Sequence, residues 1–278
     1  MNRKILLFTL VCLLFMTLCS CKMSNAHPKS TLFFLDVGQG DAILLRTEAG
    51  DVLIDAGTEA SQQALCVRLA ELGVRELSLA IFTHADEDHI GGADGVLRSI
   101  PTHTVWISRF FEDNLATRML REAATDTGAE IVEVYSGMFY SSGSTGIAVL
   151  SPYGSMDGID DNDASIVLKI ACGDISALLM GDASAKAEKM LLDSYEHTML
   201  KSDVIKAGHH GAATSSGKAF LQAVEPEWVI VSCGAGNFFG HPHGEALLRF
   251  ENVGARILRT DLMGDVILCT DGTEIWQP

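Results

Sequence analysis

The sequence predicts an α/β fold made of two similar halves, with two sheets packed face to face and helices outside. Three observations carry this. Short aliphatic and β-branched runs alternate with segments whose apolar residues recur at helical spacing, and Gly and Asp punctuate the joints. Residues Ala42–Val52 (AILLRTEAGDV) align without a gap on Ser165–Ile175 (SIVLKIACGDI), each copy reading as a hairpin. Both then run apolar to an acidic end, Asp55-Ala56-Gly57 in the first and Met180-Gly181-Asp182 in the second. With 278 residues, 47% of them hydrophobic, the chain can bury one large core or at most two small ones, and disorder is excluded for most of it.

Taken in order, Thr31–Asp36, Asp41–Thr47 and Asp51–Asp55 read as strands, the last two joined through Glu48-Ala49-Gly50. Gln62–Leu72 has helical spacing, and Ser78–Thr83 is an apolar strand that opens directly into His84-Ala85-Asp86-Glu87-Asp88-His89. Gly91-Gly92 leads into a helix over Ala93–Ser99. A strand (Thr104–Ser108), a helix (Leu115–Thr125) and a strand (Glu130–Val134) follow, and loops are expected from Ser136 to Asp163. In the second half, the hairpin beginning at Ser165 precedes a helix over Ala183–Leu192, for which Asp182 is a natural N-cap. Asp203–Ala207 and Trp228–Ser232 read as strands. Ser215 and Ser216 are candidate caps for a helix beginning near Gly217.

The N-terminus has the layout of a secretory signal peptide over residues 1–20: Arg3 and Lys4, then an uncharged apolar run from Ile5 to Leu18. That run is short of the ~20 residues that a membrane helix needs. It ends in Leu18-Cys19-Ser20-Cys21, which resembles the bacterial lipobox; Cys21 is the expected lipidation site, residues 21–30 a tether and 31–278 the folded domain. The chain is therefore expected outside the cytoplasm, on the membrane through a lipid. Of seven Cys, only Cys66, Cys172, Cys233 and Cys269 fall in the domain, and three lie in or beside apolar runs as small hydrophobes, so no disulfide framework is expected. Twenty Lys and Arg against 36 Asp and Glu give a formal charge of −16, which argues against a broad basic surface tracking nucleic-acid phosphates.

The most informative stretch is His84-x-Asp86-x-Asp88-His89-x-Gly91-Gly92, four ligand-capable side chains between a buried strand and a helix start. Neutral imidazole nitrogen and carboxylate oxygen in this ratio suit two divalent cations on opposite sides of one loop. Nucleotide-binding glycine patterns, a nucleophile elbow and zinc-ribbon Cys spacing are absent from the sequence, so no nucleotide cofactor is expected.

This stretch resembles the H-x-H-x-D-H signature of the metallo-β-lactamase fold, with Asp in place of the second His. Together with Phe34–Ala42 (FLDVGQGDA), Asn162-Asp163-Ala164-Ser165, Met180-Gly181-Asp182, Lys206–Gly211 (KAGHHG) and Asn237–His243 (NFFGHPH), it resembles the hydrolase domain of the ComEC competence-protein family. The resemblance implies a four-layer αββα sandwich with pseudo-twofold duplication. It implies that His84 and Asp86 ligate one metal, Asp88 and His89 the other, and that Asp182 bridges them. One of His209 and His210 completes the second site; His209 is favoured as the first after its strand. The His that metallo-β-lactamases place mid-chain is missing, leaving Asn162, Asp163 or water in that role. Asp36 and Asp41, flanking the Gly38-Gln39-Gly40 turn, are expected to support the ligands. Asn237, His241 and His243 lie in a loop that borders the substrate in the family. Asp88, His241 and Lys206 are the expected participants in catalysis, His241 as a donor to the leaving group or a phosphate oxygen and Lys206 as a phosphate contact.

Two Zn or Mn ions sharing a water would lower its pKa toward neutrality. The added carboxylate favours a charged phosphodiester over a neutral lactam. The family link implies a nuclease acting on single-stranded DNA; the alternatives are a phosphodiesterase of envelope polymers, of phosphorylcholine or teichoic-acid type, and a non-catalytic envelope-binding lipoprotein. ComEC proteins join this domain to a multi-helix membrane channel, which this sequence does not contain.

Overall fold

The computed structural model describes residues 27–153 and 160–278. Two mixed sheets form the centre. The first has eight strands in the order β15-β14-β1-β2-β3-β4-β5-β6 and the second seven, β13-β12-β11-β10-β9-β8-β7. The strands are β1 Ser30–Phe34, β2 Ile43–Thr47, β3 Gly50–Ile54, β4 Leu79–Phe82, β5 Thr104–Ser108, β6 Glu130–Val134, β7 Phe139–Ser142, β8 Thr145–Ser151, β9 Val167–Cys172, β10 Ile175–Leu179, β11 Val204–Lys206, β12 Trp228–Val231, β13 Arg256–Arg259, β14 Val266–Thr270 and β15 Ile275–Trp276. The longer helices are α1 Gln62–Glu71, α2 Ala93–Ser99, α3 Leu115–Thr127, α4 Ala185–Ser194, α5 Lys218–Val224 and α6 Gly244–Asn252.

Side-chain alternation sorts each central strand onto two faces. Leu32, Phe34, Ile43, Leu45, Val52, Ile54 and Ile81 meet Ile166, Leu168, Ile170, Leu179, Val204 and Ile230 between the sheets. The opposite face of the first sheet packs Leu44, Leu53, Ala80 and Phe82 against Leu65 and Leu69 of α1, Val96 and Leu97 of α2 and Leu120 of α3. The second sheet packs Leu178, Ile205 and Val229 against Leu191 of α4, Phe220 of α5 and Phe250 of α6. The result is the expected helix-sheet-sheet-helix order. The duplication holds in the pairing pattern. Along β1 to β6, and again along β8 to β13, two antiparallel pairs are followed by three parallel ones.

The expectation of loops from Ser136 to Asp163 is corrected by the β7–β8 hairpin. The Phe139–Ser142 segment (FYSS) is a largely exposed edge with one buried residue, so it shows no apolar run. Its partner β8 gains its place by pairing with β9. A second departure is that β14 returns from the C-terminus to pair with β1, Ser30 opposite Thr270. Ser30, assigned from sequence to the tether, thus begins the sheet. Residues 1–26, with the leader and Cys21, lie outside the described residues. Among the described residues no helix is long and apolar enough to cross a membrane. Cys66, Cys172, Cys233 and Cys269 are free thiols.

Candidate metal centre

The chain leaves β3 at Asp55, β4 at Thr83-His84, β10 at Met180–Asp182, β11 at Ala207–His210 and β12 at Ser232, and these strand ends meet at one edge of the sandwich. There Asp41, His89, Asp182 and His210, all buried, each offer a ligand atom within 4.8 Å of the others. Asp182 sits at the middle. Its Oδ1 lies 3.2 Å from His89 Nε2, and its Oδ2 lies 3.4 Å from His210 Nε2 and 3.7 Å from His209 Nε2. Asp88 Oδ2 is 3.2 Å from His210 Nε2, and Asp86 Oδ2 is 3.7 Å from His84 Nε2. The His84 and His89 rings are 4.1 Å apart.

What the rings present to one another follows from what holds their far edges. His210 Nδ1 lies 2.9 Å from the Ser232 carbonyl, which can only accept, so Nδ1 carries the proton and Nε2 faces the centre bare. His89 Nδ1 donates to Asp55 Oδ2 at 2.8 Å with the same outcome. His84 is set through a relay: the Thr83 hydroxyl donates to Asp55 Oδ2 at 2.8 Å, which leaves its oxygen to accept from His84 Nδ1 at 3.0 Å. Asp55 also accepts the Thr83 backbone N–H at 2.8 Å, so one buried carboxylate orients two imidazoles and ties β3 to β4.

The atoms this leaves over fit a cation. His84 Nε2 and Asp182 Oδ1 are buried without a hydrogen-bond partner among the described residues. His89 Nε2 and His210 Nε2 face each other across 3.3 Å, a spacing that two bare nitrogens do not hold without a shared proton or an ion. Without an ion, protons fill this role. Burial pulls the His89 and His210 rings down, but the carboxylates of Asp182, Asp55, Asp41 and Asp88 outweigh it and hold both well above the ordinary imidazole range. Burial pushes Asp182 and Asp88 up, but the facing imidazoles hold both carboxyls well below their usual range.

Several expectations are corrected by this geometry. His210, not His209, enters the buried cluster. The GHHG segment is a tight turn with both His in the left-handed region (φ 49° and 53°), so strand alternation does not choose between them. His209 remains partly exposed at the rim, its ring 5.4 Å from that of His241. Asp182 does not cap the following helix; Ser184 does, its hydroxyl accepting from Lys186 N–H, which frees the Asp182 carboxylate for the centre. Lys206 is fully buried behind the cluster, its Nζ 2.5 Å from Asp41 Oδ2 and donating to the Gly181 carbonyl at 3.1 Å, so it is not placed as a surface contact for phosphate. Asp41 stands in the four-residue group itself, facing the Nδ1 edges of His89 and His210 at 3.9 and 3.6 Å. Burial raises and the Lys206 ammonium lowers its carboxyl, with a net shift down to about 2. Asp36 is exposed and orders the turn by accepting from Gly38 N–H.

The mid-chain candidates divide. Asp163 accepts from Ser184 N–H and anchors α4, while the buried Asn162 Oδ1 lacks a partner among the described residues. Asn237 braces its own loop, accepting from His241 N–H and donating to the carbonyls of Gly234 and His241. His243 Nδ1 accepts from Ala213 N–H and links that loop to the His210 turn. His241 lies 6.1 Å from the His210 ring; burial and the neighbouring imidazoles lower it to about 4, so its ring is neutral near pH 7. Ser215 donates to the Gly208 and Ala212 carbonyls and does not cap α5; Gly217 occupies that position.

Sequence reasoning noticed Asp55 only as a strand end and passed over its role. The signal was available, since Asp55 and Asp182 end equivalent strands of the two halves. Glu188 of α4 left no such signal. Its carboxylate is buried and accepts the Ser216 and Gly217 N–H groups, while Arg249 of α6 donates to the carbonyls of Ala213, Ser215 and Ser216. Two helices thus clamp the loop that follows His210.

Residues 35–134 match the metallo-beta-lactamase superfamily. Among solved structures, the metallo-beta-lactamase fold protein YhfI of Bacillus subtilis superposes with TM-score 0.55 at 12% identity, over 90% of this chain and 100% of that one. CmlA, a diiron beta-hydroxylase from Streptomyces venezuelae, superposes with TM-score 0.57 at 15% identity, over 87% and 54%. These likenesses speak to the fold alone. The chain has the metallo-β-lactamase fold and carries a group of side chains able to hold a metal ion. It is 31% identical over 250 residues to ComE operon protein 3 of Bacillus subtilis (strain 168), covering 84% of this chain and 32% of that one. It is 34% identical over 232 residues to competence protein ComA of Neisseria gonorrhoeae, covering 82% and 30%. The chain spans about a third of the length of these relatives, and over the shared region it belongs to the ComEC type of the metallo-β-lactamase fold.

Proposed function

We propose that the chain is a metal-dependent phosphodiesterase, with single-stranded DNA the first candidate substrate. The observation that carries this reading is the carboxylate content of the centre. Asp86 at the half-exposed rim, Asp88 and the buried Asp182 all direct oxygens toward the imidazoles, a hard donor set suited to stabilising charged phosphoryl groups. His84, Asp86, Asp88, His89, Asp182 and His210 would hold two divalent ions. Such ions, Mn²⁺ or Zn²⁺, supply when bound the Lewis acidity that brings the pKa of water toward neutrality and the charge that offsets an acidic protein facing an anionic substrate.

The remaining steps belong to the chain. Asp55, Thr83 and the Ser232 carbonyl keep the Nε2 atoms of His84, His89 and His210 directed inward. Lys206, paired with Asp41 and 3.7 Å from Asp182 Oδ1, holds the central carboxylate from behind. His209 and the neutral His241 line the open side, where a ring N–H can donate to a phosphoryl or leaving oxygen. The test is turnover of bis-p-nitrophenyl phosphate against nitrocefin with added Mn²⁺ or Zn²⁺. Phosphodiester cleavage that Asp88→Ala abolishes in a folded protein is expected; lactam turnover alone would reverse the ranking. Lipid attachment at Cys21 is part of the proposal, and intact-mass measurement of protein extracted from membranes checks it.

A further inference from the structure

The loop of residues 232–243 holds two aromatic side chains that the core does not use. Phe238 is fully exposed, at 106% relative accessibility, and Phe239 is 63% exposed, although each Phe offers a large apolar area that burial would stabilise. The loop is built to keep them there. Asn237 binds its two ends together, and Gly234 packs so closely on the Gly38-Gln39 turn that a Cβ would come within 2.6 Å of Gln39 N. Gly234 N–H also donates to Gln39 Oε1.

Phe239 does not project freely. Its ring lies nearly parallel to His241, with centroids 5.6 Å apart and 20° between planes, and His241 in turn stands 5.4 Å from His209 and 6.1 Å from His210. A series of flat rings thus leads from the candidate metal centre to solvent, with the exposed phenyls outermost. We propose that Phe238 and Phe239 form a stacking platform for a nucleobase, so that the phosphodiester delivered to the centre is a nucleotide linkage. The proposal rests on the phosphodiesterase reading and narrows it to base-bearing substrates. Stacking on an aromatic face tolerates any base, and it supplies affinity that a chain of net charge −16 does not draw from a basic groove. A pair meant for a lipid surface would have no reason to lay one ring flat on an imidazole of the site.

Two measurements on the full folded chain test this. In the first, hydrolysis of thymidine 5′-(p-nitrophenyl phosphate) is compared with that of methyl p-nitrophenyl phosphate, which has the same leaving group and no base. Phe238→Ala/Phe239→Ala is expected to lower the thymidine-to-methyl ratio of kcat/KM by roughly tenfold, mostly through KM, and Phe239→Trp to restore it. In the second, a short single-stranded oligonucleotide containing 2-aminopurine is titrated with protein. Quenching is expected with the natural chain and its loss with the double variant. If neither ester is cleaved but quenching depends on the phenyls, the platform stands and the phosphodiesterase reading fails. An unchanged ratio with unchanged quenching overturns the platform. So does sedimentation with phosphatidylcholine vesicles that the double variant abolishes while quenching persists, since the phenyls would then be membrane contacts.

Discussion

Replacing Asp55 by Asn keeps the size of the side chain and changes one donor pattern. Oδ1 of Asp55 accepts a backbone N–H from Thr83, which has no alternative role, so in Asp55→Asn the amide oxygen must stay there and the NH₂ must take the place of Oδ2. That NH₂ then meets His89 Nδ1 and the Thr83 hydroxyl, both now at 2.8 Å from a carboxylate oxygen. His89 is driven to carry its proton on Nε2, toward the centre, and the Thr83 hydroxyl is released to donate to His84 Nδ1, which drives His84 the same way. Restoring a metal-competent ring sets two donors against each other, a buried mismatch of about 1–3 kcal/mol, which at about 1.4 kcal/mol per decade agrees with the ~10–100-fold that removal of a ligand's outer partner costs. Folding stability should fall by only about 1–3 kcal/mol, because the Thr83 N–H bond survives. Asp55→Ala, by contrast, strands three buried donors and would remove much of the ~5–15 kcal/mol that a domain has. The assay is Zn²⁺ competition against a chromophoric chelator, paired with guanidinium unfolding. An Asp55→Asn variant that is folded and binds Zn²⁺ as tightly as the natural chain would refute the relay.

Other expectations follow from the same geometry. His210→Ala should weaken metal binding well beyond the ~10–100-fold of an outer-partner change, and His209→Ala should weaken it less; equal losses in the chelator assay would dissolve the distinction between them. Gly40 has φ +132° and would place a Cβ 2.2 Å from the Asp88 carbonyl, so Gly40→Ala should displace the His84–His89 loop and cost at least about 2 kcal/mol, read by chemical unfolding. Burial raises the Glu188 carboxyl to about 7 despite its two backbone donors. The native state therefore holds that proton between its unfolded value near 4.5 and 7, and the contribution of Glu188 to stability falls as pH rises through that window, by about 3 kcal/mol in all. Glu188→Gln should flatten this part of the stability profile relative to the natural chain; parallel profiles would show that Glu188 does not titrate there.

The alternating pattern and the repeated hairpin made the sandwich legible, because strands buried on both faces leave continuous apolar runs such as Leu79–Phe82 and Trp228–Val231. The exposed edge strand β7 left no such trace. The His84–His89 loop was legible because its ligand types crowd into one short stretch. His210 was not distinguishable from His209, since the choice depends on a left-handed turn that residue type alone does not announce. Lys206 misled for a related reason: a cation near a proposed phosphate site reads as a contact, whereas the strand directs it inward to Asp41. The equivalence of the halves explains more than it was asked to. Asp55 and Asp182 follow β3 and β10, and the His84 and His209-His210 loops follow β4 and β11. The two arms of the centre are therefore copies of one strand-end device, one copy of each acidic end orienting rings and the other facing them.

The return of β14 to β1 joins residues as far apart as Thr31 and Cys269 across one ladder. A ribosome releases the first partner long before the second, so the leading sheet waits, with one flank unclosed, until β14 has emerged. Pairings of such long range close slowly, and a chain without β14 would leave Ser30–Phe34 as an open, largely apolar edge suited to self-association. The leading sheet therefore closes only after every strand of the second sheet has been made.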